Sequence, residues 1–222
     1  GSSRKSLRLI PAKDGQSFAR DKHGNYWRVL DYVDKSASVE VPDSPEQAYE
    51  AARSFGEFQA LLADLPGGPL RETIPDFHHT RKRLERFRQV VADDPVGRVD
   101  QIRDLLAFIV SRESLADLLV DLIEAGKLPL RIVHNDTKIN NVLLDKNTGK
   151  GLCVVDLDTV MSGCSLHDFG DLVRTAACSA EEDEADPSKI RFLPETYAAL
   201  VKGYLETAGS FLTPEEIEHL PI

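Results

Sequence analysis

The stretch RIVHNDTKINNVLLDKNTGKGLCVVDLDTV, residues 131–160, places His, Asp, Asn and Lys side chains among apolar runs. Its pattern predicts three short strands, at about 131–134, 141–145 and 152–157, with a turn in KNTGKG between the last two. We expect these strands to form one small sheet. Because side chains at strand ends can converge on a cleft, the stretch predicts a functional site there.

Composition and charge restrict the class of protein. The chain has 222 residues, 41% of them hydrophobic and 29% charged, which indicates one or two globular domains. No apolar run approaches the roughly 18 residues of a membrane span, and the first residues lack the apolar core of a signal peptide. The net charge of −10 argues against nucleic-acid and anionic-membrane partners and permits a neutral or cationic substrate.

The three cysteines show neither CxxC spacing nor an even count. This argues against a disulfide framework or a zinc cluster. A reducing compartment fits such cysteines, and we expect a cytoplasmic protein.

Residues 1–33 alternate short apolar runs with turn signals such as Asp14-Gly15. This pattern predicts hairpin strands of a small antiparallel sheet. We expect Tyr26, Trp27 and Tyr32 to belong to the core of that sheet.

Helical patterns follow the sheet. Ser44 as N-cap, Pro45 at the first helical position and Gln47 in a capping box predict a helix that ends before Pro66. Further helical periodicity is found at 81–92, at 99–125 with Gly126 ending it, and from 168 onward.

Two charged segments are predicted to be surface features. His78 and His79 precede a run of basic residues, and a charge run on a helix is usually a solvated face. The acidic segment from Glu181 to Asp186 could attract a cationic substrate, but we interpret it as a mobile surface loop.

The polar residues of the opening stretch follow a specific spacing. His134, Asp136, Lys138 and Asn141 form H-x-D-x-K-x-x-N, and Asp156 ends the following strand, as in the catalytic loop and metal-binding Asp of protein kinases. Phosphoryl transfer to a hydroxyl needs a carboxylate to accept the proton and metal ions to offset phosphate charge.

These needs assign a role to each residue type. Asp136 is the predicted carboxylate, and Lys138 is predicted to reach the transferred phosphate as a point charge, while His134 fixes the loop. Mg²⁺ prefers oxygen ligands, so Asn141 and Asp156 are the predicted metal ligands.

The same arrangement resembles the aminoglycoside phosphotransferase family and its small-molecule kinase relatives, above all N-acetylhexosamine 1-kinases. The likeness rests on YWRVLDYV, AYEAARSFGEFQALLAD, HNDTKINNVLL, VVDLDTVM and HDFGDLVR. It implies an α+β, protein-kinase-like fold: a remnant of a small antiparallel N-lobe sheet, plus a mostly helical C-lobe with a small β-sheet at the active site. It also implies ATP and Mg²⁺ as cofactors.

The resemblance divides the chain and adds site residues. Residues 1–33 become the end of the nucleotide-binding N-lobe, and 34–222 become the helical catalytic C-lobe, truncated at its C-terminus. The backbone of Asp31, Tyr32 and Val33 is then the inter-lobe linker that receives adenine.

Three further aspartates follow the site in sequence. The resemblance gives Asp171 the task of bracing the catalytic loop through hydrogen bonds. Asp168, in a DFG triplet, is predicted to be a helix N-cap and not a metal ligand. Asp158 is either a second metal-side carboxylate or a solvated strand end.

Upstream of the linker we find neither a phosphate-covering loop nor a strand Lys paired with a helix Glu, and Lys5 is the only early candidate. The chain therefore reads as an internal fragment that is inactive alone.

We expect an ATP-dependent phosphotransferase acting on a small-molecule hydroxyl, with a sugar such as an N-acetylhexosamine as leading acceptor. The alternatives are a non-catalytic fragment or pseudokinase used for binding, or a kinase for choline, ethanolamine or an aminoglycoside.

Overall fold

The structure is a computed structural model that describes residues 6–222, so Lys5 lies outside the described residues. Its strands are β1 (Leu9–Ile10), β2 (Ala19–Arg20), β3 (Tyr26–Trp27), β4 (Val29–Leu30), β5 (Ser36–Ala37), β6 (Arg131–Val133), β7 (Val142–Asp145), β8 (Gly151–Val154) and β9 (Met161–Gly163). Its α-helices are α1 (Pro45–Leu62), α2 (Thr80–Asp93), α3 (Arg103–Val110), α4 (Ser114–Glu124), α5 (Ser165–Ala176), α6 (Pro194–Ala208) and α7 (Pro214–Glu218). Single 3₁₀ turns are found at Val99–Ile102, Ile139–Asn141, Leu157–Thr159 and Pro187–Lys189. Small sheets and helices together confirm the predicted α+β class.

The N-terminal strands are antiparallel, as predicted, and β2 with β3 forms a hairpin. Strand β1 pairs instead with β4, so these strands form two two-stranded sheets and not the single predicted sheet. The predicted aromatic core is wrong, because Tyr26, Trp27 and Tyr32 are 66%, 61% and 84% exposed. The Trp27 indole N–H donates to the Asp21 carboxylate at 3.0 Å, and the Tyr26 ring meets the Phe18 ring at 5.2 Å between centroids. Two-residue strands bury little by themselves, and no described element covers these rings.

The strands around the predicted site belong to two sheets, so the prediction of a single sheet is wrong. Strand β6 pairs with β9, with Val133 opposite Met161. Strand β7 lies between β5 and β8, with Leu143 opposite Cys153. The sequence pattern did not predict β9, whose partner lies about 30 residues earlier and whose pairing is therefore not a local property.

Helix α1 begins as predicted. The Ser44 hydroxyl accepts the Gln47 N–H at 3.4 Å, and Pro45 occupies the first turn. The Gln47 side chain accepts the Asp43 N–H at 2.9 Å rather than that of Ser44. The side chains of Ser44 and Gln47 therefore accept backbone N–H groups on both sides of the N-cap.

Helix α1 packs along α6, and this pair forms the centre of the core. Ala48, Ala52 and Phe55 are fully buried on α1. A Cβ added at Gly203 of α6 would overlap the Tyr49 carbonyl oxygen, so the absence of a side chain there lets the two helices approach closely.

The single helix predicted over 99–125 is wrong. A 3₁₀ turn and α3 come first, and the chain turns at residues 111–113 before α4. The Ser111 hydroxyl donates to the Phe108 carbonyl at 2.8 Å, and the Arg112 guanidinium donates to the same carbonyl at 3.1 Å. These side-chain bonds replace the helical ladder at that point. Gly126 follows α4 with φ of 69°, which confirms the predicted stop.

The C-terminal helix α7 is tied back to the strands. Glu216 is fully buried and accepts two hydrogen bonds from the Arg131 guanidinium, each at 2.7 Å, and one from the Ser165 hydroxyl at 2.7 Å. Burial disfavours the charged form of Glu216, but Arg131, the Thr213 amide and Ser165 outweigh it and lower its pKa. This ion pair joins β6, α5 and α7.

Candidate active site

The loop that follows β6 carries the predicted site. Asn135 adopts a left-handed conformation, with φ of 66°, and this turns the chain so that Asp136 points away from the core. The Asn141 side-chain amide donates to the Asp136 backbone carbonyl at 2.8 Å and lies 3.3 Å from its carboxylate. The Lys138 ammonium lies 3.9 Å from the same carboxylate. The structure therefore brings Asp136, Lys138 and Asn141 together.

His134 holds this loop from inside. It is fully buried, and its ring stands edge-on to Phe55 and Phe58, at 5.4 and 5.8 Å between centroids. Its Nε2 contacts the Val155 carbonyl oxygen at 2.9 Å, and its Nδ1 accepts the Asp136 N–H at 3.3 Å. Since Nδ1 accepts, the proton is on Nε2. His134 thus joins the loop to the end of β8 and contacts only the backbone of Asp136.

Asp168 is the carboxylate that braces the loop, which corrects the prediction for Asp171. Its two oxygens accept the backbone N–H groups of His134, at 2.8 Å, and Asn135, at 2.7 Å. Asp171 instead pairs with Arg174 one turn further along α5, at 2.7 Å.

The prediction that Asp168 caps a helix is also wrong. Helix α5 begins at Ser165, so Asp168 lies within its first turns and faces the core. Burial raises the pKa of Asp168, while hydrogen bonds from His134, Asn135 and Gln59 counter that effect.

Gln59 and Tyr204 complete this buried network, and sequence reasoning missed both. The Gln59 amide donates to Asp168 at 2.6 Å and accepts the Tyr204 hydroxyl at 2.6 Å. The only available signal was a polar Gln on the apolar face of α1, since its two partners are more than 100 residues away. The network runs from α6 through α1 and α5 to the loop that carries Asp136.

The acidic segment from Glu181 to Asp186 contacts the predicted site through Glu182, so it is not only a solvated surface loop. Glu182 accepts from the Lys138 ammonium at 2.8 Å and from the Arg174 guanidinium at 2.9 Å. Its hydrogen bond with Lys138 raises the pKa of that amine, and the two cations lower the pKa of Glu182. In this structure, Lys138 is paired with a carboxylate of the protein.

The predicted metal ligands differ in their surroundings. The Val155 N–H donates to the Asn141 carbonyl at 2.9 Å, so Asn141 lies opposite Val155, the residue that precedes Asp156. Asp156 is exposed and left-handed, with φ of 59°. Asp158 lies in a 3₁₀ turn rather than at a strand end and forms an ion pair with Arg28.

The predicted linker lies beside the N-terminal strands. The Asp31 N–H donates to the Arg8 carbonyl at 2.9 Å, and the Ser36 hydroxyl donates to the Val33 carbonyl at 2.6 Å. These bonds use neither the Asp31 carbonyl nor the Val33 amide. Tyr32, between them, is largely exposed.

The histidines before α2 are not simply part of a solvated face. His79 caps α2, with its Nδ1 accepting the Lys82 N–H at 3.5 Å. The His78 Nε2 contacts the Asn135 carbonyl oxygen at 3.1 Å, and its ring meets that of His167 at 5.1 Å. The sequence pattern therefore missed a contact between this segment and the loop that carries Asp136.

Residues 6–222 contain no group of three or more His, Cys, Asp or Glu side chains arranged to hold a metal ion. Within the same range, every helix is too short or too polar to cross a bilayer.

Small antiparallel sheets and a helical body hold this loop. Comparison with known families gives the class of protein, a phosphotransferase. The model of the phosphotransferase enzyme family, APH, matches residues 12–208, and the chain belongs to this family.

Among solved structures, the chain is similar to a crystal structure of aminoglycoside-3'-phosphotransferase of type VIII. The two are 22% identical, the match covers 97% of this chain and 72% of that one, and the TM-score is 0.49.

Proposed function

We propose that this protein transfers a phosphoryl group from ATP to a hydroxyl group of a small molecule. The observation that carries the proposal is the geometry of one loop, which presents Asp136 beside Lys138 and Asn141. Asp136 orients the acceptor hydroxyl and takes its proton on a carboxylate oxygen. Lys138 contacts the transferred phosphoryl group, and for this it must exchange its contact with Glu182.

The residues present fit a Mg²⁺ site. Asn141 directs its amide nitrogen at Asp136, which leaves its oxygen for a cation, and the exposed Asp156 follows Val155, which is hydrogen-bonded to the Asn141 backbone. Bound Mg²⁺ would offset the charge of the ATP phosphates. Asp158 is the weaker ligand of the predicted set, because Arg28 already offsets its charge.

The linker is proposed to receive the adenine of ATP. Asp31 has a carbonyl and Val33 an amide that the hydrogen bonds described above do not use, and such a pair matches the donor and acceptor edges of adenine. This assignment supports the division at residue 33 into an N-lobe remnant and a catalytic C-lobe. The pairing of β5 with β7 likewise associates residues after 34 with the C-lobe.

A sugar such as an N-acetylhexosamine is the proposed acceptor, and choline, ethanolamine and aminoglycosides are the alternatives. Three free cysteines support the proposed cytoplasmic location. The ion pair of Lys138 with Glu182 favours a second candidate function, a protein that binds its ligands without transfer, because it occupies the amine that would contact phosphate.

Two variants test the proposal against a matched control. In the full-length protein, Asp136→Asn removes the proton acceptor, so turnover of ATP with the best acceptor should fall at least about a hundredfold with nucleotide affinity nearly unchanged. Asp156→Asn should weaken Mg²⁺-dependent nucleotide binding as well as turnover, with partial recovery at high Mg²⁺. Asp100→Asn, at an exposed carboxylate on a 3₁₀ turn, is the control and should change neither. Normal turnover by Asp136→Asn, with folding verified by circular dichroism, would refute the role of Asp136.

A further inference from the structure

Two cations near Asp136 converge on one carboxylate. The Lys138 ammonium lies 2.8 Å from one Glu182 oxygen, and the Arg174 guanidinium lies 2.9 Å from the other. Lys138 is also 3.9 Å from the carboxylate of Asp136, the proposed proton acceptor. Glu182 therefore occupies a position between two cations that a small oxyanion such as phosphate could also take.

Arg174 is oriented toward this position by a second carboxylate. It lies in the last turn of α5, and its Nε and one Nη atom contact a single oxygen of Asp171, at 3.1 and 2.7 Å. The other Nη atom is the one that contacts Glu182. A guanidinium anchored on one side in this way keeps donors for a second oxyanion, and its planar fork of donors suits phosphate.

The three groups of this contact can be reached from solvent. The side chains of Lys138, Arg174 and Glu182 are 32%, 51% and 47% exposed. Ion pairs with this exposure contribute little to stability, so a dissolved anion can compete with Glu182 for the two cations. The pair of Arg131 with Glu216 offers no such access, because Glu216 is fully buried.

Glu182 lies on a loop, residues 179–191, that is also held at its base. There the Ser179 N–H donates to the Arg191 carbonyl at 3.0 Å, and the Ser179 hydroxyl accepts the Arg191 N–H at 3.0 Å. Lys189 and Glu184 pair inside the loop at 3.0 Å, whereas Glu182 joins the loop to α5 and to the loop that carries Asp136. Release of Glu182 would therefore free the tip of loop 179–191 without opening its base.

The charges around Asp136 show what this release would change. Lys138 and Arg174 face the carboxylates of Asp136, Asp171 and Glu182, so the group has one more negative than positive charge. This balance disfavours an incoming phosphate. With Glu182 withdrawn, two cations face two carboxylates, and both cations regain donors for an anion.

We infer that Lys138 and Arg174 together form the binding site for the phosphoryl group, and that the Glu182 carboxylate occupies this site until phosphate displaces it. The inference rests on the proposed function for the identity of the anion, and it adds a second phosphate-binding residue and a way of closing the site. A purely structural network predicts the opposite effect, because loss of Glu182 would then release both cations from their positions and weaken anion binding.

The test is an NMR titration of the protein with inorganic phosphate, without nucleotide or Mg²⁺, against chloride at equal ionic strength. Phosphate should shift the Arg174 Nε–H signal and the Glu182 amide signal along one binding curve. Glu182→Gln keeps the shape of the side chain and removes its charge. Because each exposed ion pair accounts for up to about fivefold in an equilibrium, this variant should bind phosphate roughly three- to twentyfold more tightly.

Two further variants complete the test. Arg174→Gln, introduced into Glu182→Gln so that the competing carboxylate is absent, should weaken phosphate binding about two- to fivefold. Glu184→Gln is the matched control, because Glu184 lies in the same loop and pairs with Lys189, and it should leave phosphate affinity unchanged. Amide hydrogen exchange at residues 181–186 should quicken when phosphate is added, since the tip of the loop is released. Circular dichroism verifies that each variant is folded.

Three results would overturn the inference: no phosphate binding by either the unmodified protein or Glu182→Gln, binding that Glu182→Gln leaves unchanged or weakens, or binding in that variant that Arg174→Gln does not affect. The proposed transfer fails independently. Tighter phosphate binding by Glu182→Gln, with no phosphorylation of any acceptor by the full-length protein, would keep the anion site and remove the kinase proposal. Phosphorylation with the same kcat and the same KM for ATP in the unmodified protein, Glu182→Gln and Arg174→Gln would do the reverse.

Discussion

Replacing Asp168 by Asn should destabilise the protein by disturbing the backbone of the loop that carries Asp136. Asp168 accepts three N–H groups: one oxygen serves Asn135, and the other serves His134 and Gln59. Leaving a buried donor without an acceptor costs about 1–3 kcal/mol. Asp168→Ala would strand all three, at about 3–9 kcal/mol, which is comparable with the whole stability of a domain, about 5–15 kcal/mol.

Asp168→Asn is the informative change because it keeps one oxygen. An amide oriented to serve His134 and Gln59 loses only the bond from Asn135, so the free energy of unfolding should fall by about 1–3 kcal/mol. Urea denaturation followed by circular dichroism measures this loss. Amide hydrogen exchange at Asn135 should also speed up by one to two orders of magnitude, since about 1.4 kcal/mol corresponds to a factor of ten.

Asp171→Asn is the control, in the same helix and three residues away. Asp171 pairs with a half-exposed Arg174, and a pair of this kind contributes about 0–1 kcal/mol. If Asp171→Asn cost as much as Asp168→Asn, or if it alone exposed the Asn135 amide to exchange, the bracing role would belong to Asp171.

Three further expectations concern stability. Ser44→Ala removes the N-cap of α1 and should lower the free energy of unfolding by about 1 kcal/mol in urea titration, whereas no loss would show the cap to be redundant. Gly203→Ala should lower the melting temperature, because its Cβ would overlap the Tyr49 carbonyl oxygen; a rise would mean that the helices can separate without cost. Glu216 has a pKa below the ordinary 4.5 in the folded protein, so it contributes stability above that pH, and this contribution is lost as the pH falls. Unfolding free energies between pH 6 and 3 should therefore decline more steeply in the unmodified protein than in Glu216→Gln, which leaves Arg131 without its partner at every pH; parallel curves would contradict this.

The spacing of the proposed site residues after β6 could be predicted from the sequence because they lie close together in the chain. His134, Asp136, Lys138 and Asn141 lie within eight residues, so a turn of limited length must keep them near one another. The structure places Asp136, Lys138 and Asn141 together and shows His134 as their internal support.

The partners of the loop were not accessible in the same way. Which of Asp168 and Asp171 faces the core depends on where α5 begins. The helix begins three residues earlier than predicted, and this turns Asp168 toward the core. Gln59 and Tyr204 come from α1 and α6, whose packing no local pattern specifies. Nor could charge composition show that Glu182 would pair with Lys138.

The sheet errors have a similar cause. Alternation predicted β6, β7 and β8 as strands, but it carries no information on which strands pair. The aromatic side chains Tyr26 and Trp27 were placed in a core because such residues are usually buried, although two-residue strands provide little surface to cover them.

The packing of α1 on α6 has a consequence for how the chain is made. About 130 residues separate the end of α1 from the start of α6. At roughly 5–20 residues per second, the ribosome needs about 7–26 s to deliver the partner of α1. During that interval the face of α1 that packs against α6 lacks its partner, and the buried link from Tyr204 through Gln59 cannot yet form. The strands and α5 can pack on α1 earlier, but the loop that carries Asp136 gains this last part of its support only after α6 has been made.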